Sequence, residues 1–157
     1  MFKNITTLFL FVFFSTKVFA SANCPGEKRN LATWKNCNGS YKAIDGHTYS
    51  GDFDLNGQYT GFGKLNNKGM IYEGEFLKNK FHGKGKQILP NDDGSVKGIY
   101  EGEFFMGSWH GKGILRSQDG TFIYDGEFQN YEMTGYGILT VNGQSQTGNF
   151  ENGNFID

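Results

Sequence analysis

From Tyr49 onward, short runs of the chain alternate apolar and polar residues with a period of two. In YEGEF, beginning at Tyr100, residues Tyr100, Gly102 and Phe104 fall on one face of an extended strand, and Glu101 and Glu103 on the other. A short turn follows, and in HGKGIL the residues Gly111, Gly113 and Leu115 share one face while Lys112 and Ile114 share the other. Links between such pairs carry Asp45-Gly46, Asp93-Gly94, Asp119-Gly120 and Asn142-Gly143. These dipeptides suit type I′ turns, in which both central residues need positive φ. The pattern predicts an all-β chain: an elongated, single-layer antiparallel meander of about ten strands with no helix, every connection a hairpin.

The phrase recurs. It reads YSGDFDLNGQYTGFG from Tyr49, YEGEFLKNKFHGKG from Tyr72, YEGEFFMGSWHGKG from Tyr100 and YDGEFQNYEMTGYG from Tyr124. A worn fifth copy, QTGNFENGNFID, starts at Gln146 and lacks its tyrosine and its second strand. Such spacing marks an array whose units bury surface mainly against their neighbours. Glycine weakens a strand unless another group must come close. A Tyr or Phe laid over a neighbouring glycine repairs the lost packing, so the recurrent glycines are expected to seat aromatic rings.

These copies resemble MORN repeats (membrane occupation and recognition nexus), whose pattern runs Tyr-x-Gly-Glu-Phe/Trp, a turn, then His-Gly-x-Gly and an aliphatic pair. The copies at Tyr72 and Tyr100 match almost position for position, whereas Thr60 and Thr134 replace the histidine in the copies at Tyr49 and Tyr124. The resemblance spans roughly residues 49–157. It implies a twisted ribbon of hairpins used as a scaffold or interaction module, some members being proposed to touch phospholipid headgroups. The segment 21–48 aligns as a half-repeat, with Asn36–Tyr41 matching His110–Leu115.

Composition and charge narrow the rest. Lys3, an apolar run from Ile5 to Phe14 and Val18-Phe19-Ala20 have the layout of a cleavable secretory signal over residues 1–20. The run is about half the ~20 residues that a membrane span needs, and Asn23 before Cys24 argues against a lipid anchor. An exported chain, periplasmic or extracellular, follows. Its two cysteines, Cys24 and Cys37, are then read as a disulfide staple, against free thiols or pairing with another molecule. Losing Lys3 and Lys17 moves the formal charge from −1 to −3, so no nucleic-acid partner is expected. Seven lysines against four acids give Gly61–Tyr100 a net +3, while Glu101–Asp157 is −6.

No catalytic arrangement emerges. The three histidines, His47, His82 and His110, lack the spacing of a metal site, and no cofactor is expected. Asp52, Glu75, Glu103 and Glu127 occupy one ladder position. They are read as solvated charges, with Lys84 facing Glu75 and Lys112 facing Glu103, rather than as a catalytic pair. Asn91-Asp92-Asp93-Gly94 lacks the alternating ligands of a calcium loop. Two surfaces remain. One is the aromatic stripe, with Tyr72, Phe76, Tyr100, Phe104, Tyr124 and Phe128, joined by Phe81, Phe105 and Trp109 in and beside the turns. The other is the cluster Lys78, Lys80, Lys84 and Lys86, suited to an anionic lipid surface. The reading is a non-catalytic scaffold for a protein partner or for self-association through an uncapped C-terminal edge near Phe150–Phe155, with phospholipid attachment as the alternative.

Overall fold

The computed structural model describes residues 22–25 and 33–157, and the expected signal segment lies outside them. Twelve strands form one sheet in sequence order: β1 (Ala22–Asn23), β2 (Cys37–Lys42), β3 (Thr48–Phe53), β4 (Tyr59–Asn67), β5 (Met70–Leu77), β6 (Lys80–Pro90), β7 (Val96–Phe105), β8 (Ser108–Ser117), β9 (Phe122–Gln129), β10 (Glu132–Val141), β11 (Gln144–Glu151) and β12 (Asn154–Phe155). The meander holds from β2 to β12, and no α-helix occurs among the described residues. The two strands beyond the expected ten are short ones at the ends. β1 runs parallel to β2, so this one connection is not a hairpin. β12 gives the fifth copy a two-residue returning strand.

Register is set by glycine. Gly39, Gly51, Gly63, Gly74, Gly85, Gly102, Gly113, Gly126, Gly137 and Gly148 lie opposite one another in an unbroken row from β2 to β11. Each outgoing tyrosine lies across this row. A Cβ added at Gly85 would sit 2.6 Å from the Tyr72 ring, and one at Gly113 2.7 Å from the Tyr100 ring. The glycines therefore serve as seats, as the spacing implied.

A second interlock comes from the rings themselves. Tyr72 stacks on Phe81 at 3.9 Å and Tyr100 on Trp109 at 4.5 Å, each pair within one repeat. Tyr72 then meets Phe104 edge-on at 4.9 Å, and Tyr100 meets Phe128 at 5.0 Å, which ties each repeat to the next. Edge-to-face pairs of this kind add about 0.5–1.5 kcal/mol beyond area burial. Backbone bonds repeat the same tie. The N–H groups of Asn79, Gly107, Tyr131 and Gly153 donate to the carbonyls of Tyr59, Phe81, Trp109 and Met133.

The turns divide into two kinds. Lys68-Gly69, Lys78-Asn79, Met106-Gly107, Asn130-Tyr131, Asn142-Gly143 and Asn152-Gly153 have positive φ at both residues, as type I′ requires. At the three Asp-Gly links only the glycine is positive, which corrects the expectation for them. There the aspartate side chain organises a longer loop. Asp45, Asp93 and Asp119 accept the N–H of His47, Ser95 and Thr121, two residues on.

The N-terminal end is closed by a disulfide between Cys24 and Cys37, with Cα atoms 5.0 Å apart. Trp34 packs edge-on against Phe53 at 5.1 Å and ends the ring ladder on that side.

Candidate interaction surface

Each repeat contains a β-bulge where the sequence reads Gly-x-Gly. Between β5 and β6 the register passes from Gly74↔Gly85 to Glu75↔His82, which leaves Gly83 and Lys84 extra. β7–β8 does the same, from Gly102↔Gly113 to Glu103↔His110. Glu75 and Glu103 therefore face histidines within their hairpins, not Lys84 and Lys112 as the strict alternation predicted. Lys84 lies opposite Glu103 of the following strand instead, and Lys112 opposite Glu127.

The bulge explains the first glycine of the motif. Gly61, Gly83, Gly111 and Gly135 all take φ between 54° and 59°, the left-handed region. The ladder carboxylate, not a ring, lies over this glycine. A Cβ at Gly83 would sit 2.5 Å from Glu75 Cδ, and the Lys84 N–H donates to Glu75 Oε1 at 3.0 Å. On the other side the tyrosine hydroxyl closes the bulge. Tyr72 donates to the carbonyl oxygens of Glu75 and His82 at 2.8 and 3.2 Å, and Tyr124 to those of Glu127 and Thr134. The tyrosine bonds the backbone carbonyl of the histidine position, so this bond persists where threonine stands there. Burial is the main cause that pushes the hydroxyls of Tyr49, Tyr72, Tyr100 and Tyr124 above the usual phenol range.

These contacts occupy the aromatic face. Tyr72, Phe76, Tyr100, Phe104, Trp109, Tyr124 and Phe128 are buried, and Phe81 is partly buried against them. The sequence left open whether this stripe is free or filled by its own packing, and here it is filled. The tyrosines fold flat over the glycine row, so one layer of rings covers that face. Trp109 is further held by a 2.7 Å bond from its Nε1–H to Gln87 Oε1. Gln87 stands where the other repeats have Leu65, Leu115 and Leu139, a pairing visible only once the register is known.

Of the aromatic candidates, Phe105 alone is strongly exposed, at 56 %. It lies on the opposite, outer face with its ring centroid 5.6 Å from both His82 and His110. His82 Nδ1 is buried there without a hydrogen-bond partner. The same face carries two residues that sequence reasoning missed, Phe62 at 61 % and Tyr136 at 60 % exposure. Both occupy the middle of Gly-x-Gly, where the central repeats have Lys84 and Lys112. The variable x of that motif was the signal for them.

Lys78, Lys80, Lys84 and Lys86 are exposed, and acids on the neighbouring strands face Lys84 and Lys86 across the outer face. Lys86 lies opposite Glu73 and Glu101, 3.8 Å from the latter. Lys64 is 3.2 Å from Glu73. A groove of about 740 Å³ runs over this face, lined by Phe62, Lys84, Lys86, Glu101, Lys112, Ile114 and Arg116 among others. No group of three or more potential metal ligands occurs among the described residues, and no helix there is long and apolar enough to cross a membrane.

Comparison with known proteins agrees with this geometry. The MORN repeat family model matches residues 72–94, 100–122 and 124–145, so the chain carries three MORN repeats. No curated protein matches the chain.

Proposed function

We propose, for a chain that carries three MORN repeats, that it is a non-catalytic scaffold whose outer face binds a protein partner. The observation that carries this is the division of labour between the two faces. The aromatic side is spent on packing, while the outer side presents Phe62 and Phe105 beside lysines and glutamates, and Tyr136 in the acidic stretch beyond. Exposed aromatic side chains are enriched in contact patches, whose rims are polar. The Cys24–Cys37 bond is in keeping with an oxidising compartment, and so with export.

Immobilised protein should capture a partner from its native envelope or medium, and Phe105→Ala with Tyr136→Ala should abolish capture while leaving the melting temperature unchanged. Capture undiminished by both substitutions would sink the reading. Flotation with anionic phosphatidylserine vesicles at low salt tests the alternative. The glutamates among Lys84 and Lys86 favour its failure, and salt-sensitive flotation lost on Lys78→Glu and Lys80→Glu would replace the protein reading with the lipid one.

A further inference from the structure

The two ends of the sheet carry the two halves of one repeat. β2 has the register of a returning strand. Gly39 lies opposite Gly51 and Tyr41 opposite Tyr49, as Gly113 lies opposite Gly126 and Leu115 opposite Tyr124. Among the described residues it has no outgoing strand before it. β11 has the register of an outgoing strand. Gly148 lies opposite Gly137 and Gln146 opposite Leu139, as Gly102 lies opposite Gly85 and Tyr100 opposite Gln87. Its returning strand β12 covers only Phe150 and Glu151, with Asn149 covered by the two residues that follow.

The open backbone groups on the two edges correspond. The Asn38 carbonyl accepts from Cys24 N–H, so Asn38 faces away from β3. By strand alternation Ser40 and Lys42 face the same way. Asn149 N–H donates to the Asp157 carbonyl, so Asn149 faces away from β10, and Thr147 and Ser145 do likewise. In the complete repeat of β7 and β8, Glu101 lies opposite Ile114 and Ile99 opposite Arg116. These are the repeat positions of Thr147 and Ser145 on one edge and of Ser40 and Lys42 on the other. Setting Gly148 of one copy against Gly39 of another therefore places Thr147 opposite Ser40 and Ser145 opposite Lys42.

Packing and charge point the same way. The tail has Gln146 where every other outgoing strand has tyrosine, and at Gly148 the Phe155 ring stands instead, 2.7 Å from a Cβ placed there. The head likewise covers its own glycine, since a Cβ at Gly39 would lie 3.0 Å from Cys24 Cβ and 3.1 Å from Trp34. Trp34 meets Phe53 at 5.1 Å and 89°, much as Tyr72 meets Phe104 at 4.9 Å and 84°. β1 pairs with Cys37 and Asn38, the bulge positions that find no partner across β7 and β8, so among the described residues it leaves Ser40 and Lys42 unpaired on that side. Residues 21–48 carry Lys28, Arg29, Lys35 and Lys42 against Glu27 and Asp45, while residues 124–157 carry five acids and no Lys or Arg.

We propose that the β11 edge of one copy joins the β2 edge of a second copy, antiparallel and in repeat register, giving a head-to-tail and open-ended assembly. This deepens the scaffold reading, on which it rests, by naming a second copy of the chain as one partner and these edges as its surface. Ile156 and Asp157, which sit at the repeat positions of Asn36 and Cys37, are hydrogen-bonded to Asn149, so joining requires their displacement from that edge.

Sedimentation velocity of the purified protein over a concentration series tests it, with Ser40→Pro to block the head and Thr147→Pro to block the tail. Proline removes one outward N–H and is tolerated on an edge strand. The wild-type mass is expected to rise past that of a dimer. Each variant alone stays monomeric, and an equimolar mixture forms a dimer and nothing larger. Self-dimerisation of Ser40→Pro would mean tail-to-tail pairing and would overturn the proposal, as would a wild type that stays monomeric. Association persisting in both variants also overturns it but leaves the outer-face reading standing. Conversely, head-to-tail assembly with capture undiminished by the outer-face substitutions removes that reading alone. A charge swap on exposed side chains avoids any folding defect. Ser145→Lys is expected to weaken association about two- to fivefold, and Lys42→Glu in the same chain to restore it. Absence of rescue overturns the register.

Discussion

Glycine does two jobs in each repeat, and the difference is steric. Gly85 and Gly113 lie under tyrosine rings, whereas Gly83 and Gly111 adopt left-handed φ beneath a glutamate carboxylate. A side chain in that region costs about 1–2 kcal/mol from its own backbone, and at Gly83 it would also meet Glu75 Cδ at 2.5 Å. Gly94 has a similar positive φ with nothing within 4 Å. Gly94→Ala should therefore destabilise by about 1 kcal/mol and Gly83→Ala by about 2–3 kcal/mol, read as midpoint shifts in urea unfolding. Equal shifts would mean that the carboxylate moves freely and does not hold the bulge. The glycine seats were legible because Tyr-x-Gly alternates with period two. The bulge was not, because two extra residues in Gly-x-Gly preserve the alternation on either side while shifting the partner strand.

At the scale of the element, a hairpin here is a unit that cannot bury its rings alone. Tyr100 needs Trp109 from its own returning strand and Phe128 from the next hairpin. The Asp-Gly loops show why turn type escaped the sequence. The same dipeptide closes a two-residue I′ turn or a longer loop with one positive φ, and the choice depends on where the flanking strands stop pairing. At Asp119 the longer loop wins, since Ser117 and Thr121 donate to its carboxylate and hold its pKa down to about 2. The terminal element depends on its staple. Replacing both cysteines by serine should cost about 3 kcal/mol, and in a quasi-one-dimensional array the loss stays local. Hydrogen exchange is expected to quicken in β2 and β3 while β6–β10 keep wild-type protection. Uniform loss across all strands would contradict nearest-neighbour coupling.

For the molecule as a whole, stability is a sum over the tyrosine ladder, and pH reads it out. Tyr49, Tyr72, Tyr100 and Tyr124 have their pKa raised in the folded state, first by burial, above the 10.0 of the free side chain. A raised acid stabilises fully below the unfolded value, and that contribution is lost as pH climbs past 10 toward the folded pKa. The urea midpoint should hold steady from pH 7 to 9 and fall increasingly steeply above pH 10. Phenolate absorbance should show the four ladder tyrosines ionising only as the sheet melts. Simultaneous ionisation of all of them in a folded protein would refute the buried hydroxyl network.

The sequence by itself determined the period, the strand faces, the meander and the glycine–tyrosine seats. Those follow from side-chain alternation and from the space a ring needs, both local properties. It also paired Cys24 with Cys37, since only two cysteines were present. Tertiary structure decided which face stays open, because whether rings cover a sheet depends on their rotation over neighbouring strands. It turned Tyr72, Tyr100 and Tyr124 into core and left Phe62, Phe105 and Tyr136 outside. It also decided which backbone groups at the two ends face outward, through bulges whose two-residue slips are invisible in the alternation and set every register beyond them.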